Sequence, residues 1–415
     1  SISFSNKKIS MKRTGIFFIT GFVFFISVHC LVGKNSFEVT AIPQEVRNRL
    51  NLDEFHQKHI DLHGFSIIGS VKVSNYALKE AAFLIKKMVG NRNDLLSMLN
   101  QNKARYVVMA RDEFTTDIPE HSDLKPSQYW DHRARGLGAT FARPAVTCGE
   151  ENLLGIKGDP YAKENILIHE FAHALHQMAL IQLNPNFQKR IEACYKNAII
   201  EKIWEGTYAS TNENEYWAEG VQSWFNTNRE NDHDHGYINT RKELKKADPQ
   251  LGQLIKETFG DSEWRYQLPQ RREQVSSHLL GFNYKEEKPF AWPNNLIIWK
   301  KEFESGLISL APKGSPKIKP LSAKTNEKTK SQFSNKRNQL FLRNLSSKTI
   351  FIEWIDFEGN PRQRRTLRPK DHHEINSFVS HAWQIIDRDS NKIILKFILP
   401  KNKTSQFTFL NSHYK

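Results

Sequence analysis

Two histidines four residues apart bracket a glutamate in His169-Glu170-Phe171-Ala172-His173, and this spacing is the strongest chemical signal in the chain. On a helix, residues four apart stand one turn apart on the same face. Both imidazoles can then reach one ion while Glu170 serves as a base toward water. Imidazole and carboxylate donors suit Zn2+. A bare pentad is also compatible with a partly buried helix whose histidines are satisfied by neighbours. A catalytic zinc takes three protein ligands and keeps a fourth position open, so a third donor is needed. His176 is nearest in sequence, but it lies seven residues past His169, about 10 Å along a continuous helix. With no Gly or Pro between His173 and Pro185 to break that helix, His176 reads as a packing residue.

A later segment, Asn212-Glu213-Asn214-Glu215-Tyr216-Trp217-Ala218-Glu219, offers a better donor. Glu215 and Glu219 stand one turn apart, giving one carboxylate for the ion and one to accept the outer N–H of a ligand histidine. The alternative is an acidic helix start in which Glu215 reaches back to the Asn212 cap. The run from Tyr208 to Glu219, placed after the pentad, resembles the anthrax lethal factor and Pro-Pro endopeptidase group of zinc peptidases. The resemblance covers residues 165 to 220 and has no counterpart of lethal factor's delivery domains. It implies one Zn2+ per chain on His169, His173 and Glu215, with Glu170 as base. It further implies Tyr208 facing the substrate carbonyl and Glu219 behind the ligands. The expected activity is a secreted, extracellular zinc endopeptidase acting on protein or peptide. The rival reading is a zinc-binding adhesion protein that has lost turnover.

Two other clusters carry ligand-type residues. Asp232-His233-Asp234-His235 could hold a second cation, though alternating acid and imidazole before Gly236 reads more simply as a solvated loop. His372 and His373 are neighbours on a strand and point to opposite faces, so they do not share an ion.

The elements that must position these residues fit an α+β fold, a mainly helical zincin-like domain followed by a small all-β sandwich. Ser74 caps a helix predicted over 75–88 that stops at Gly90, and 105–110 reads as a strand. Residues 112–135 read as loop, with Gly136-Leu137-Gly138 as a wall of the cleft. Asp159-Pro160 starts a helix over 161–183, ended by Asn184-Pro185. Further helices are predicted over 187–204 and 213–227. Residues 313–337, rich in Pro, Ser, Lys and Thr, read as a flexible basic linker. Short β-type runs follow at 339–343, 349–357, 372–377, 382–388 and 392–399. The domains are therefore a signal peptide at 11–33, a metallopeptidase domain at 34–312, the linker, and a sandwich at 338–415.

The signal peptide rests on the basic start Met11-Lys12-Arg13 and an apolar run over 16–28, shorter than the about 20 residues of a membrane span. Once it is removed, no membrane span is expected. Cys148 and Cys194 are then the remaining pair, and an oxidising compartment would let them form a disulfide. Two free buried thiols are the other reading.

The run 339–399 resembles the β-domain of the von Hippel-Lindau tumour suppressor. The resemblance is carried by Phe341-Leu-Arg-Asn344, Trp354-Ile-Asp-Phe-Glu-Gly359-Asn-Pro361, Thr366-Leu367 and Ser377-Phe-Val-Ser-His381-Ala-Trp383. It implies a hydroxyproline pocket walled by Trp354 and Trp383, with Ser377 and His381 meeting the hydroxyl. Arg364 stands where that family has a pocket tyrosine. The α-helical part that recruits a ubiquitin ligase has no counterpart, so no such partner is expected. The formal charge is +15, and residues 313–415 hold 21 Lys and Arg against 8 Asp and Glu. A basic tail of this kind reads as a solvated linker and surface, or as weak affinity for acidic matrix, with no sequence-specific nucleic-acid partner. A module that holds proline- or hydroxyproline-rich protein would raise substrate concentration beside the cleft.

Overall fold

The computed structural model describes residues 37–322 and 329–414. The signal segment expected at 11–33 and Cys30 lie outside them. Among the described residues, no helix is long and apolar enough to cross a membrane.

The first half builds a six-stranded sheet in the order β1-β2-β3-β4-β6-β5. Its strands are β1 (Thr40–Ala41), β2 (Lys58–Leu62), β3 (Phe65–Gly69), β4 (Arg105–Met109), β5 (Gly136–Leu137) and β6 (Ala145–Gly149). β3, β4 and β6 run parallel, and every residue of β3, β4 and β6 is buried. Such strands read as continuous apolar runs rather than alternation. One face carries α1 (Gln44–Leu50), where Val46 and Leu50 pack on Ile68, Val107 and Ala145. The other carries α2 (Asn75–Val89) and α3 (Asn93–Gln101). Ser74 caps α2 by accepting from Tyr76 N–H at 3.2 Å, and Gly90 ends it, as the sequence predicts.

Within the stretch expected as loop, α4 (Ser127–Arg133) forms, followed by the edge strand β5. After β6 comes α5 (Glu150–Leu154). The helix expected over 161–183 starts later: Asp159 closes a turn by accepting from Tyr161 N–H at 2.8 Å, and α6 spans Ile166–Leu175. A π-type turn over His176–Leu180 leads into α7 (Ile181–Leu183). Then come α8 (Phe187–Ile200), α9 (Glu213–Trp224), α10 (Arg241–Ala247), α11 (Pro249–Phe259) and α12 (Asn294–Glu304). Gly220 lets α11 close on α9, since a Cβ there would lie 2.5 Å from Leu251 Cδ2.

The C-terminal part is all-β, so the chain as a whole is α+β. One sheet runs in the order β10-β9-β12-β13-β7, the other β11-β8-β14. Their strands are β7 (Leu321–Ser322), β8 (Arg337–Asn344), β9 (Ile350–Ile355), β10 (Pro361–Leu367), β11 (His372–Phe378), β12 (Ala382–Asp387), β13 (Ile393–Ile398) and β14 (Thr404–Phe409). Leu340, Ile352, Ile385, Phe397 and Phe409 fill the space between them. β10 and β14 have no counterpart among the expected runs. β10 carries four arginine or glutamine side chains in a row and is exposed along six of its seven residues, so no apolar alternation marks it.

The expected linker is corrected in its described parts. Ile318 N–H donates to Gln406 O at 2.9 Å, β7 pairs with β13, and Ser331 N–H donates to Asp356 O at 3.2 Å. Backbone pairing along the sheet edges holds this segment in spite of its polar composition.

Candidate metal centre

Two capped helices bring the chemistry-bearing residues together. Asn165 starts α6 by accepting from Ile168 N–H at 3.0 Å, and Asn152 accepts from Ile166 N–H at 2.8 Å. Asn212 starts α9 by accepting from the N–H groups of Asn214 and Glu215 at 2.9 and 3.0 Å. That cap leaves the Glu215 side chain free to turn toward α6. The buried Trp217 ties the helices together, its indole N–H donating to Ala172 O at 3.0 Å.

Glu215 Oε2 lies 3.2 Å from Nε2 of both His169 and His173, and the two Nε2 atoms are 3.1 Å apart. Donors held about 2 Å from one tetrahedral ion stand roughly 3.3 Å from each other, so the triangle has the size of a coordination face. The hydrogen-bond chemistry agrees. Gln222 Nε2 donates to Glu164 Oε2 at 3.0 Å, which turns its Oε1 toward His169 Nδ1 at 2.8 Å. Nδ1 therefore carries the hydrogen, and Nε2 presents a lone pair to the carboxylate. Protonating both histidines to serve Glu215 would set two N–H donors 3.1 Å apart. A single divalent cation satisfies all three atoms at once.

Glu170 is half-buried beside this triangle. A Cβ on Gly138 would lie 2.8 Å from His173 Cβ and 3.3 Å from Glu170 Oε2, and one on Gly136 would lie 3.2 Å from Glu170 Cγ. The Gly136-Leu137-Gly138 stretch thus packs directly against the α6 face that carries Glu170 and His173. Burial raises the Glu170 pKa, against the pull of the two histidines. Tyr208 opens a single helical turn, its N–H donating to Asp234 O at 2.6 Å, and its ring lies 6.5 Å from the His169 ring. Burial and the neighbouring Glu215 carboxylate keep its phenol protonated far above its ordinary range.

Glu219 corrects its expected place. Its Oε1 is 3.7 Å from His169 Nδ1, beyond a hydrogen bond, and its Oε2 accepts from Asn228 Nδ2 at 2.9 Å. Gln222, one further turn along in effect, takes the outer N–H instead. A glutamine three residues past Glu219 carried no signal in the sequence, since an amide is as common in packing as in ligand support. His176 packs against Phe187 and Trp217, with Nε2 2.9 Å from Gln188 Oε1, away from the triangle.

Asp232, Asp234 and His235 gather within reach of one ion, but arginines occupy their carboxylates. Arg229 meets Asp232 at 2.9 Å and Asp234 at 3.1 Å, and Arg368 meets Asp234 at 2.8 Å. The cluster is neutralised without a cation. His372 donates to or accepts from Tyr129 Oη at 3.0 Å. The disulfide expected between Cys148 and Cys194 is also corrected, for both thiols are free. Cys148 is sealed in β6 beside Tyr106, whereas Cys194 is half-buried on α8 beside Arg190 and Asp248.

In the sandwich, Ser377 Oγ stands 3.1 Å from His381 Nδ1, and the His381 ring is 5.2 Å from that of Trp354. Phe357 and Phe378 close around the same imidazole, at 5.7 and 5.3 Å. Neither phenylalanine was singled out in the sequence. Trp383, expected in the same pocket wall, is corrected to the core: it is 2% exposed and packs with the inward residues of both sheets. Arg364 donates to Glu353 at 2.5 Å, so the position of the family's tyrosine holds an ion pair.

Comparison with known proteins agrees with the sandwich. The family model of the VHL beta domain matches residues 329–399. Among solved structures, a Pro-Pro endopeptidase from Paenibacillus alvei is similar to this chain at 17% identity, covering 46% of this chain and 96% of its own, with a TM-score of 0.28. No curated protein matches.

Proposed function

We propose that this chain is a secreted zinc-dependent endopeptidase. The single observation that carries the reading is the triangle of His169 Nε2, His173 Nε2 and Glu215 Oε2, each 3.1 to 3.2 Å from the other two, with the half-buried Glu170 on the same helix as the histidines. A zinc ion held by those three side chains would supply a Lewis acid that makes water nucleophilic near neutral pH.

The remaining work falls to residues of the chain. Glu170, whose pKa burial raises, takes the proton of the attacking water and passes it to the departing amine. Tyr208 stays protonated and donates its phenolic hydrogen to the carbonyl oxygen as negative charge builds there. One such donor is typically worth about 3 kcal/mol. Gln222 fixes the His169 ring. The edge strand β5 lies along α6, a place where an extended peptide can add as a further strand. Protein substrates rich in proline or hydroxyproline would be held by the Trp354, Ser377 and His381 cluster of the sandwich.

The test is zinc content and hydrolysis of a peptide library by the full chain. One zinc per chain is expected, with cleavage abolished by a chelator and by Glu170→Gln, the variant retaining its zinc. Wild-type protein that binds zinc and cleaves no peptide would leave the binding-protein reading in its place.

A further inference from the structure

The C-terminal sandwich reaches the catalytic region through charge. Arg368, just past β10, places Nη1 2.8 Å from Asp234 Oδ1 and 3.3 Å from His233 O. Its own orientation is fixed from the sandwich side, where Nε meets Asp371 Oδ2 at 3.2 Å and the same carboxylate accepts the Arg368 N–H at 2.8 Å. Asp234 is the residue whose main-chain oxygen accepts the Tyr208 N–H at 2.6 Å. Two residues of one loop thus join the sandwich to the turn that carries the phenol.

The loop has a second link to the site. His235 lies 3.4 Å from Glu219 Oε2 and 2.9 Å from Asp232 Oδ1, and Glu219 is on the helix that carries Glu215. Arg229 braces the loop from inside the same domain, through Asp232 and Asp234. Arg368 is the brace that comes from the other domain. Elsewhere the two parts meet through a Tyr129–His372 hydrogen bond and the Arg343 guanidinium, which lies 3.8 Å over the Phe303 ring of α12. The Arg368 and Asp234 side chains are 18% and 32% exposed, so their pair is only partly screened by water.

We propose that Arg368 is a positioning residue of the catalytic site: by holding Asp234 it fixes the loop that sets the Tyr208 turn beside His169. The sandwich is then part of the working enzyme in addition to any hold it has on substrate. The proposal rests on the endopeptidase reading for its kinetic consequence, while the brace itself is independent of it. Loss of an orienting contact outside the chemistry lowers the rate of the chemical step more than it weakens substrate binding.

The experiment uses the full chain, with kcat and KM measured on the best-cleaved member of a quenched fluorescent peptide library and amide exchange measured at Tyr208. Arg368→Ala should lower kcat about tenfold with KM within about twofold, and speed exchange of the Tyr208 amide by a similar factor. Arg368→Lys, which keeps a charge for Asp234, should recover most of both. On a Tyr208→Phe background, Arg368→Ala should cost no further kcat, because both changes act on one phenol. Unchanged kcat and unchanged Tyr208 exchange in Arg368→Ala would overturn the proposal, as would equal losses in the Lys and Ala variants. If the wild type cleaves nothing but Arg368→Ala still speeds Tyr208 exchange, the brace stands and the endopeptidase reading fails.

Discussion

The Nδ1 of His169 sits 2.8 Å from Gln222 Oε1, and this amide, rather than the carboxylate of Glu219 at 3.7 Å, sets the tautomer of the ring. Gln222→Leu should therefore weaken zinc binding by about 10- to 100-fold, whereas Glu219→Gln should change it by less than about threefold. Competition with a fluorescent chelator measures both. A larger loss in the Glu219 variant would return the orienting role to the carboxylate.

Gly138 has no room for a side chain. Its added Cβ would lie 2.8 Å from His173 Cβ, an approach that real Cβ atoms do not make. Gly138→Ala should push the wall strand or the His173 ring aside, lowering peptide hydrolysis by about 100-fold and stability by about 1 to 3 kcal/mol. Steady-state kinetics and denaturant titration of the variant check the two effects. Wild-type kinetics in this variant would show that the wall yields freely.

Trp217 holds α9 on α6 through its bond to Ala172 O, two residues past Glu215. Trp217→Phe keeps an aromatic ring in the core and removes the N–H. The expected cost is about 1 to 3 kcal/mol in unfolding free energy, with weaker zinc binding because the third donor is less firmly placed. Urea unfolding of the zinc-free protein, set beside zinc affinity, separates the two. Unaltered zinc affinity would mean that α9 is positioned by its other contacts.

Glu120 governs part of the acid stability. Burial opposes its ionisation, but its bond to His56 at 3.0 Å and the nearby Arg105 carry its pKa down to about 2. A folded pKa below the unfolded value contributes stability that is whole above about pH 4.5 and is lost as pH falls toward 2. The amount is of order 3 kcal/mol. Glu120→Gln should flatten that part of the pH profile of unfolding between about pH 5 and 2. An acid limb unchanged by the substitution would assign the effect to other carboxylates.

Some of this molecule is written in short stretches of sequence. Ser74 and Gly90 bound α2 because a side-chain cap and a residue with φ of 58° act locally. His169 and His173 share a face because four residues make about one helical turn. The missed elements show the converse. β10 is polar nearly throughout and is a strand because β9 offers it a ladder, and the start of α6 is fixed by the Asn165 cap together with Asn152, fourteen residues before Ile166.

The candidate donor types, the two helices that carry them and the division into a mainly helical part and a β-sandwich could all be read from the residues in order. Those follow from periodicity, caps and composition, which act over a few residues. It took the folded chain to show that Gln222 meets His169, that Cys148 and Cys194 are free, that Trp383 belongs to the core, and that Arg368 meets Asp234. Each of these joins residues far apart in the chain or chooses between near-equal neighbours on one helix. Packing of whole elements settles such choices, and no local spacing encodes it.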